Sequence, residues 1–397
     1  MLSITEEWAI KPYIMEKFQT IDFVDLKAQQ EVIYSDLMDR LHKVLAHGKY
    51  IMGPEIDELE ERLAAYVGVR HVITCSSGTD ALLMSLMAFN IGPGDAVFTS
   101  PFTFIATAEV ILLLGATPVF VDIDPRTFTI NPELLAEALD HFGNNSRTEH
   151  LQPKAIIPVD LFGQPADYEE INKVAEAHNL IVVEDAAQSF GATYKGKKAG
   201  SLGDIAATSF FPAKPLGCYG DGGAIFTDDD GLAAVLRSIR VHGQGSSQYD
   251  NVRLGLNGRL DTLQAAVLLA KLAVFEREVA ARQEVAQRYS EGLAPAVKVP
   301  YVAPDRQSIW AQYSVLSDRR NELTSALQEA GIPTAVYYPL PLHLQGAFRH
   351  LGYQRGDFPV SETSSRQIFS LPMHPYLSAK QQTTIIQALL TVSGNLL

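Results

Sequence analysis

Helical periodicity first becomes clear after Met52-Gly53-Pro54. Pro54 suits a first helical position, and Ile56, Leu59, Leu63 and Val67 form an apolar stripe at helical spacing. Beyond it, short apolar runs alternate with amphipathic stretches. The runs are His71–Cys75, Ala96–Thr99, Pro118–Val121, Ala155–Val159, Leu180–Val183, Ile205–Phe210 and Ala224–Thr227. Helices are expected over Thr79–Asn90, Thr107–Leu114, Pro132–His141 and Tyr168–His178. Apolar, β-branched runs alternating with helices predict βαβ units and an α/β fold, with a mostly parallel central sheet covered by helices. One long amphipathic helix is expected from about Leu260 to Leu293, leading into a smaller C-terminal α+β unit. There the pattern gives a strand at Tyr313–Leu316 and helices at Asn321–Ala330 and Ser378–Leu390, with Ser378 as an N-cap. The loop Tyr337–Gln345, rich in tyrosine and proline, lies between those two helices. The expected division is an N-terminal extension over 1–20, a large domain over 21–265 that includes an N-terminal arm or helix, and a small domain over 266–397.

Charge narrows the partners. The 397 residues hold 32 Lys+Arg against 46 Asp+Glu, a net charge of −14. An acidic surface repels phosphate backbones, so a nucleic-acid partner is not expected, and any anionic ligand needs local cations or backbone amides. No apolar run reaches the ~18 residues of a membrane span. The longest, Val110–Val121, is broken by Gly115 and Pro118. Charged residues interrupt the first twenty positions, so no signal-peptide core is expected there. Cys75 and Cys218 are the two cysteines, too few for a disulfide framework or a zinc site. The expectation is a cytoplasmic protein with no membrane partner.

Candidate chemistry sits in loops at the carboxyl ends of the expected strands, the edge where open α/β sheets bind ligands. Ser76-Ser77-Gly78-Thr79 ends one strand and opens a helix. Small residues and a helix N-terminus suit a phosphate, although an ordinary N-cap by Ser77 or Thr79 explains the same residues. Glu184-Asp185 closes a buried strand, where a carboxylate is costly unless a cation pairs with it. It is either a helix cap or the partner of a protonated ring nitrogen. Lys214 follows a strand among apolar and glycine residues. It is either a snorkelling surface lysine or an amine whose charged form is disfavoured, and so a nucleophile. Asp228-Asp229-Asp230 is expected to be a solvated turn that starts a helix, with no metal. Cys218 is expected to be a small hydrophobe, and His242, His343 and His374 fit either a pocket or a structural hydrogen bond. A phosphate seat, a ring-nitrogen carboxylate and an activated lysine are together the parts that pyridoxal phosphate (PLP) requires.

The chain resembles the fold type I, PLP-dependent nucleotide-sugar aminotransferases from about Ile21 to its C-terminus. The motifs are SSGTDAL at Ser76–Leu82, FTFIATAE at Phe102–Glu109, VEDAAQSFGA at Val183–Ala192, TSFFPAKPLGCYGDGGAIFT at Thr208–Thr227 and LNGRLDTLQAA at Leu256–Ala266. The resemblance implies an aspartate aminotransferase-like transferase fold. It makes Lys214 the lysine that bonds the cofactor and shuttles the proton, and Asp185 the partner of the ring nitrogen. It places Gln188 near the 3-hydroxyl, Phe104 on the ring face, and Gly78, Thr79 and Ser209 on the phosphate. Asn257 reaches that phosphate from the other subunit of a homodimer with shared active sites. Arg259, also from the neighbour, meets the anionic sugar nucleotide, and Tyr337 and Tyr338 line the sugar side. Relatives often carry His at the position of Tyr337, Asn at that of His343 and Asn at that of Ser77. Within the family, LG-x-x-GDGG, here Leu216–Gly223, resembles the branch that aminates C3; the 4-keto branch tends to carry GEGG. The implied reaction moves an amino group from glutamate, releasing 2-oxoglutarate, to C3 of a UDP-linked 3-keto sugar. That sugar is 2-acetamido-3-oxo-glucuronate or a related one, in O-antigen and lipopolysaccharide biosynthesis. The alternative is another 3-keto or a 4-keto nucleotide sugar.

Overall fold

The computed structural model describes residues 21–144, 147–247 and 249–395, so the expected extension over 1–20 lies outside it. Helix α1 (Leu26–His47) comes first, capped by Asp25 Oδ1 accepting from the Ala28 N–H at 2.9 Å. Its buried residues are only Gln29, Ile33, Leu37 and Val44, a stripe too sparse for the sequence to give more than an arm or helix. Helix α2 (Pro54–Val67) has Pro54 in its first turn and buries Ile56, Leu59, Leu63 and Val67 as expected.

Seven strands build the central sheet: β1 (His71–Cys75), β2 (Asp95–Thr99), β3 (Thr117–Phe120), β4 (Gln152–Ile157), β5 (Ile181–Asp185), β6 (Ile205–Ser209) and β7 (Gly223–Thr227). Their order is β1-β7-β6-β5-β4-β2-β3. Only β7 runs against the rest, pairing antiparallel with both β1 and β6. Because it is reversed, its first residue, Gly223, sits at the carboxyl edge of the parallel strands, opposite both Cys75 and Ser209.

Successive strand residues feed opposite cores, as the two-residue period requires. Ile73, Val97, Ile157, Val183 and Ile205 meet Leu82 and Leu86 of α3 (Gly78–Ala88), Val110 of α4 (Ala106–Leu113) and Leu236 of α7 (Asp230–Ile239). On the other face, Phe98, Ile156 and Val182 meet Leu135 of α5 (Pro132–Asp140) and Ile171 of α6 (Tyr168–His178). Val72 and Phe226 on that face meet Leu59 of α2 and Leu268 of α8 (Thr262–Leu272). The turn at Asp228–Asp230 does start a helix, with Asp229 Oδ1 capping the Leu232 N–H at 2.8 Å.

The single long helix expected over 260–293 is in fact two. Helix α8 ends at Leu272 and α9 runs Phe275–Leu293, with Val274 at φ −110° and ψ −2° between them. No glycine or proline marks the joint. The break follows from packing: Phe275 is drawn into the core beside Phe190, while Val285, Tyr289 and Leu293 serve the C-terminal core. That core also holds β8 (Tyr313–Leu316), α10 (Arg320–Glu329), β9 (Ile368–Leu371) and α11 (Ala379–Asn395), with β8 and β9 antiparallel. Ser378 Oγ accepts from the Gln381 N–H at 3.2 Å, as an N-cap does. Among the described residues, no helix is long and apolar enough to cross a membrane.

Candidate active site

The carboxyl edge of the sheet gathers most of the singled-out residues. The loop after β1 becomes the start of α3, where Ser77 caps by accepting the Asp80 N–H at 3.0 Å. The cap and a phosphate seat are compatible, because the N–H groups of Gly78 and Thr79 have no acceptor inside the helix. Gly78 lies against Ser209, the last residue of β6: a Cβ at position 78 would stand 2.6 Å from Ser209 Cβ. A Cβ at Gly223 would stand 2.4 Å from Ser77 O. Three chain segments thus form one cradle that leaves no room for side chains at those two glycines.

The two carboxylates that end β5 have separate tasks. Glu184 is spent structurally, accepting the Gly200 N–H at 2.6 Å and the Leu202 N–H at 2.8 Å. Asp185 is buried, accepts Thr107 Oγ1–H at 2.8 Å and the Ala187 N–H at 3.2 Å, and faces the site. Burial raises its pKa, while the Thr107 and Ala187 hydrogen bonds and the Lys214 ammonium oppose the rise. Lys214 is half-buried in the loop after β6. Desolvation lowers its pKa, with the Asp185 charge acting against the shift. Lys214 and Asp185 are thus within electrostatic reach of each other, each with its charged form disfavoured by burial.

Gln188 is buried and held at both ends of its amide. Its Oε1 accepts the Phe162 N–H at 2.8 Å, and its Nε2 donates to Tyr338 Oη at 3.2 Å. Tyr338 is half-buried, with ring contacts to Phe102, Phe104 and Tyr337 at 6.3, 6.3 and 5.9 Å. Phe104 itself is 54 % exposed. Asn257 is exposed, although its neighbour Gly258 accepts the Ser76 N–H at 3.0 Å and so borders the cradle. Arg259 is half-buried, and its Nε is buried without a partner among the described residues. Of the histidines, His242 is exposed, and buried His343 is spent on Glu362 Oε1 at 3.2 Å. Buried His374 has its pKa lowered to about 4, chiefly by burial, with Arg282 adding to the effect.

Three buried polar residues around this edge were not singled out in the sequence. Thr107 lies inside an apolar helix stretch, with nothing local to mark its bond to Asp185. Asp160 follows β4 and accepts from the Ala166 N–H, Tyr168 Oη and Ser189 Oγ at 2.9, 3.0 and 2.8 Å. Burial pushes its carboxyl up to about 7. Arg240 lies buried beneath the end of β1, where its Nη1 meets Glu60 Oε1 at 2.5 Å and Thr74 O at 3.1 Å.

The DegT/DnrJ/EryC1/StrS aminotransferase family model matches residues 32–390. A UDP-2-acetamido-2-deoxy-3-oxo-D-glucuronate aminotransferase of Pseudomonas aeruginosa is 50 % identical over 370 residues, 93 % of this chain and 99 % of that one. A DegT DnrJ EryC1 StrS aminotransferase from Brucella abortus, solved by crystallography, superposes with a TM-score of 0.91 at 52 % identity, covering 94 % of this chain and 100 % of that one. The crystal structure of NtdA from Bacillus subtilis with bound cofactor PMP superposes with a TM-score of 0.85 at 30 % identity, covering 96 % and 86 %. The chain belongs to the DegT/DnrJ/EryC1/StrS aminotransferase family and is a PLP-dependent sugar aminotransferase.

Proposed function

We propose that this protein transfers the amino group of glutamate to C3 of UDP-2-acetamido-2-deoxy-3-oxo-glucuronate or a closely related UDP-linked 3-keto sugar. The sugar comes from the 50 % identical relative, and the chemistry rests on one arrangement: Lys214 within electrostatic reach of the buried Asp185 carboxylate, at the sheet edge that also holds the Gly78–Ser209–Gly223 cradle. The same reading places the reaction in O-antigen or lipopolysaccharide biosynthesis. Two buried free cysteines, Cys75 and Cys218, suit a cytoplasmic setting.

Bound PLP supplies an aldehyde for an amine and a ring that accepts negative charge from the reacting carbon. The residues present fit it: the cradle excludes side chains at Gly78 and Gly223, and Asp185 keeps capacity for a further donor. Asp185 would hold the proton on the ring nitrogen. Gly78 and Thr79 N–H and Ser209 Oγ would hold the phosphate, Phe104 would cover the ring face, and Gln188 would border the 3-hydroxyl. Lys214 Nζ, whose charged form burial disfavours, would take and return the proton at the reacting carbon. Tyr337 and Tyr338 line the sugar side. Asn257 and Arg259 act in the other subunit's site of a homodimer, Asn257 toward the phosphate and Arg259 toward the anionic sugar nucleotide. The exposure of Asn257 and the partnerless Arg259 Nε support that arrangement.

Lys214→Arg is expected to keep the fold and lose turnover by several orders of magnitude. Borohydride reduction of the wild-type holoenzyme, followed by peptide mass spectrometry, is expected to find the cofactor on Lys214. Substantial activity in the variant, or label elsewhere, overturns the assignment. Paired assays with 3-keto and 4-keto UDP sugars are expected to show amination of the 3-keto substrate; preference for the 4-keto sugar favours the other branch.

A further inference from the structure

Thr107 is 1 % exposed, and its hydroxyl donates to Asp185 Oδ2 at 2.8 Å. Thr103, 2 % exposed, lies with its Oγ1 at 3.1 Å from Thr107 Oγ1. A threonine hydroxyl carries one hydrogen, and a carboxylate only accepts. The hydrogen of Thr107 is therefore committed to Asp185, and Thr103 must donate to Thr107. The carboxylate thus fixes the direction of a two-hydroxyl chain. It runs from the loop after β2 through the first turn of α4 to the end of β5. Phe104 lies within the same segment, so the chain also ties the residue proposed for the ring face to the carboxylate proposed for the ring nitrogen.

We propose that Thr107, oriented by Thr103, is a positioning residue that keeps Asp185 ionised and aimed, and so sets the proton affinity of the cofactor's ring nitrogen. This rests on the role proposed for Asp185. A hydroxyl donated to a carboxylate favours its charged form, and a buried site with few competing donors makes that bond count. The Asp185 carboxylate has one other hydrogen-bond donor among the described residues, the Ala187 N–H. The charged and titratable groups around it are Lys214 from the loop after β6, Asp160 from the loop after β4, Tyr168 from the start of α6, and Tyr338 from the C-terminal part of the chain. Of these, Lys214 alone carries a positive charge. The hydroxyl chain, together with the Ala187 N–H, thus supports the Asp185 charge without itself taking part in proton transfer.

The test compares Thr107→Val, which keeps the shape and removes the donor, with Thr107→Ser, which keeps the donor, in the full-length holoenzyme. Thr103→Val removes only the outer link, and Asp185→Asn serves as the reference. PLP affinity is read by fluorescence quenching, and the visible absorbance of the holoenzyme is followed from pH 6 to 9. Steady-state kinetics with glutamate complete the set, and unfolding of each apo variant shows that it folds. A hydrogen bond to a charged group is worth about a ten- to hundredfold effect. Thr107→Val is expected to lower kcat and PLP affinity by about that factor, to displace the absorbance titration, and to leave KM for glutamate within about threefold. Thr107→Ser is expected to restore all of these to near wild type, and Thr103→Val to show a smaller shift in the same direction. Wild-type titration and affinity in Thr107→Val overturn the proposal, as does a Thr107→Ser variant as impaired as Thr107→Val. If Thr107→Val does not fold, the Thr103→Val titration decides. If Asp185→Asn also leaves affinity and spectrum unchanged, the role of Asp185 itself fails; if only the threonine variants are silent, the positioning role alone fails.

Discussion

Asp160 is a buried carboxyl with three donors and a pKa raised from 3.8 to about 7, chiefly by desolvation. A carboxyl that holds its proton more tightly when folded makes folding proton-linked. The folded state keeps a proton that the unfolded chain releases, so this residue's contribution to stability falls as pH rises from about 4 to about 7. Asp160→Asn is expected to flatten that part of the profile and to stabilise the apo protein at pH 8 by on the order of 2 kcal/mol relative to its effect at pH 5. The amide can keep its oxygen toward the Ala166 and Tyr168 donors and turn its NH₂ toward Ser189 Oγ, which then accepts where it had donated. Thermal unfolding of both proteins across pH 5–8 checks this; parallel profiles would falsify it. At this scale the sequence exposed Lys214 and Asp185, because each stands out against an apolar run. It did not expose Asp160 or Thr107, whose partners come from elsewhere in the chain.

Among the elements, α3 shows how little tolerance the cradle has. Its first residue, Gly78, touches Ser209 across a strand end, and Gly223 of β7 presses on Ser77 O. Gly78→Ala forces its Cβ into a 2.6 Å contact with Ser209 Cβ, so one of the two segments must move. The expected cost is about 1–3 kcal/mol in apo stability, with PLP affinity reduced about tenfold or more. Denaturant unfolding and a PLP titration read these separately, and an unchanged affinity would show that the cradle is not the phosphate seat. The strands and α2 were legible because each buries a dense local stripe. Helix α1 was not, since four buried residues in 22 leave its periodicity faint. The joint between α8 and α9 was hidden for the opposite reason: both helices are amphipathic, and only the diverging cores they serve require a break.

For the whole molecule, the proposed homodimer places Asn257 and Arg259 in the partner's site, while Lys214 serves its own. Two inactive variants should then complement each other. Lys214→Ala mixed with Arg259→Ala, after denaturation and refolding together, is expected to regain a substantial fraction of wild-type turnover, because each mixed dimer holds one intact site. Neither variant alone should recover under the same treatment. Absence of recovery, with mixed dimers verified by native mass spectrometry, would assign Arg259 to its own subunit's site. The nearby exposed apolar side chains Tyr249, Val252 and Leu254 fit a surface that a second copy covers.

The sequence by itself determined the alternation of strands and helices and the kind of chemistry in the loops between them. Both are written in short-range patterns: an apolar period, a helix start, a lysine set among glycines. Tertiary structure alone decided which loops meet. The order β1-β7-β6-β5 puts Gly223 between Cys75 and Ser209, although all three lie far apart in the chain. Thr107 reaches Asp185 across 78 residues, and Gln188 reaches Tyr338 across 150. Such bonds leave no local trace, because a buried polar group is satisfied by whatever donor the packed sheet edge brings within reach.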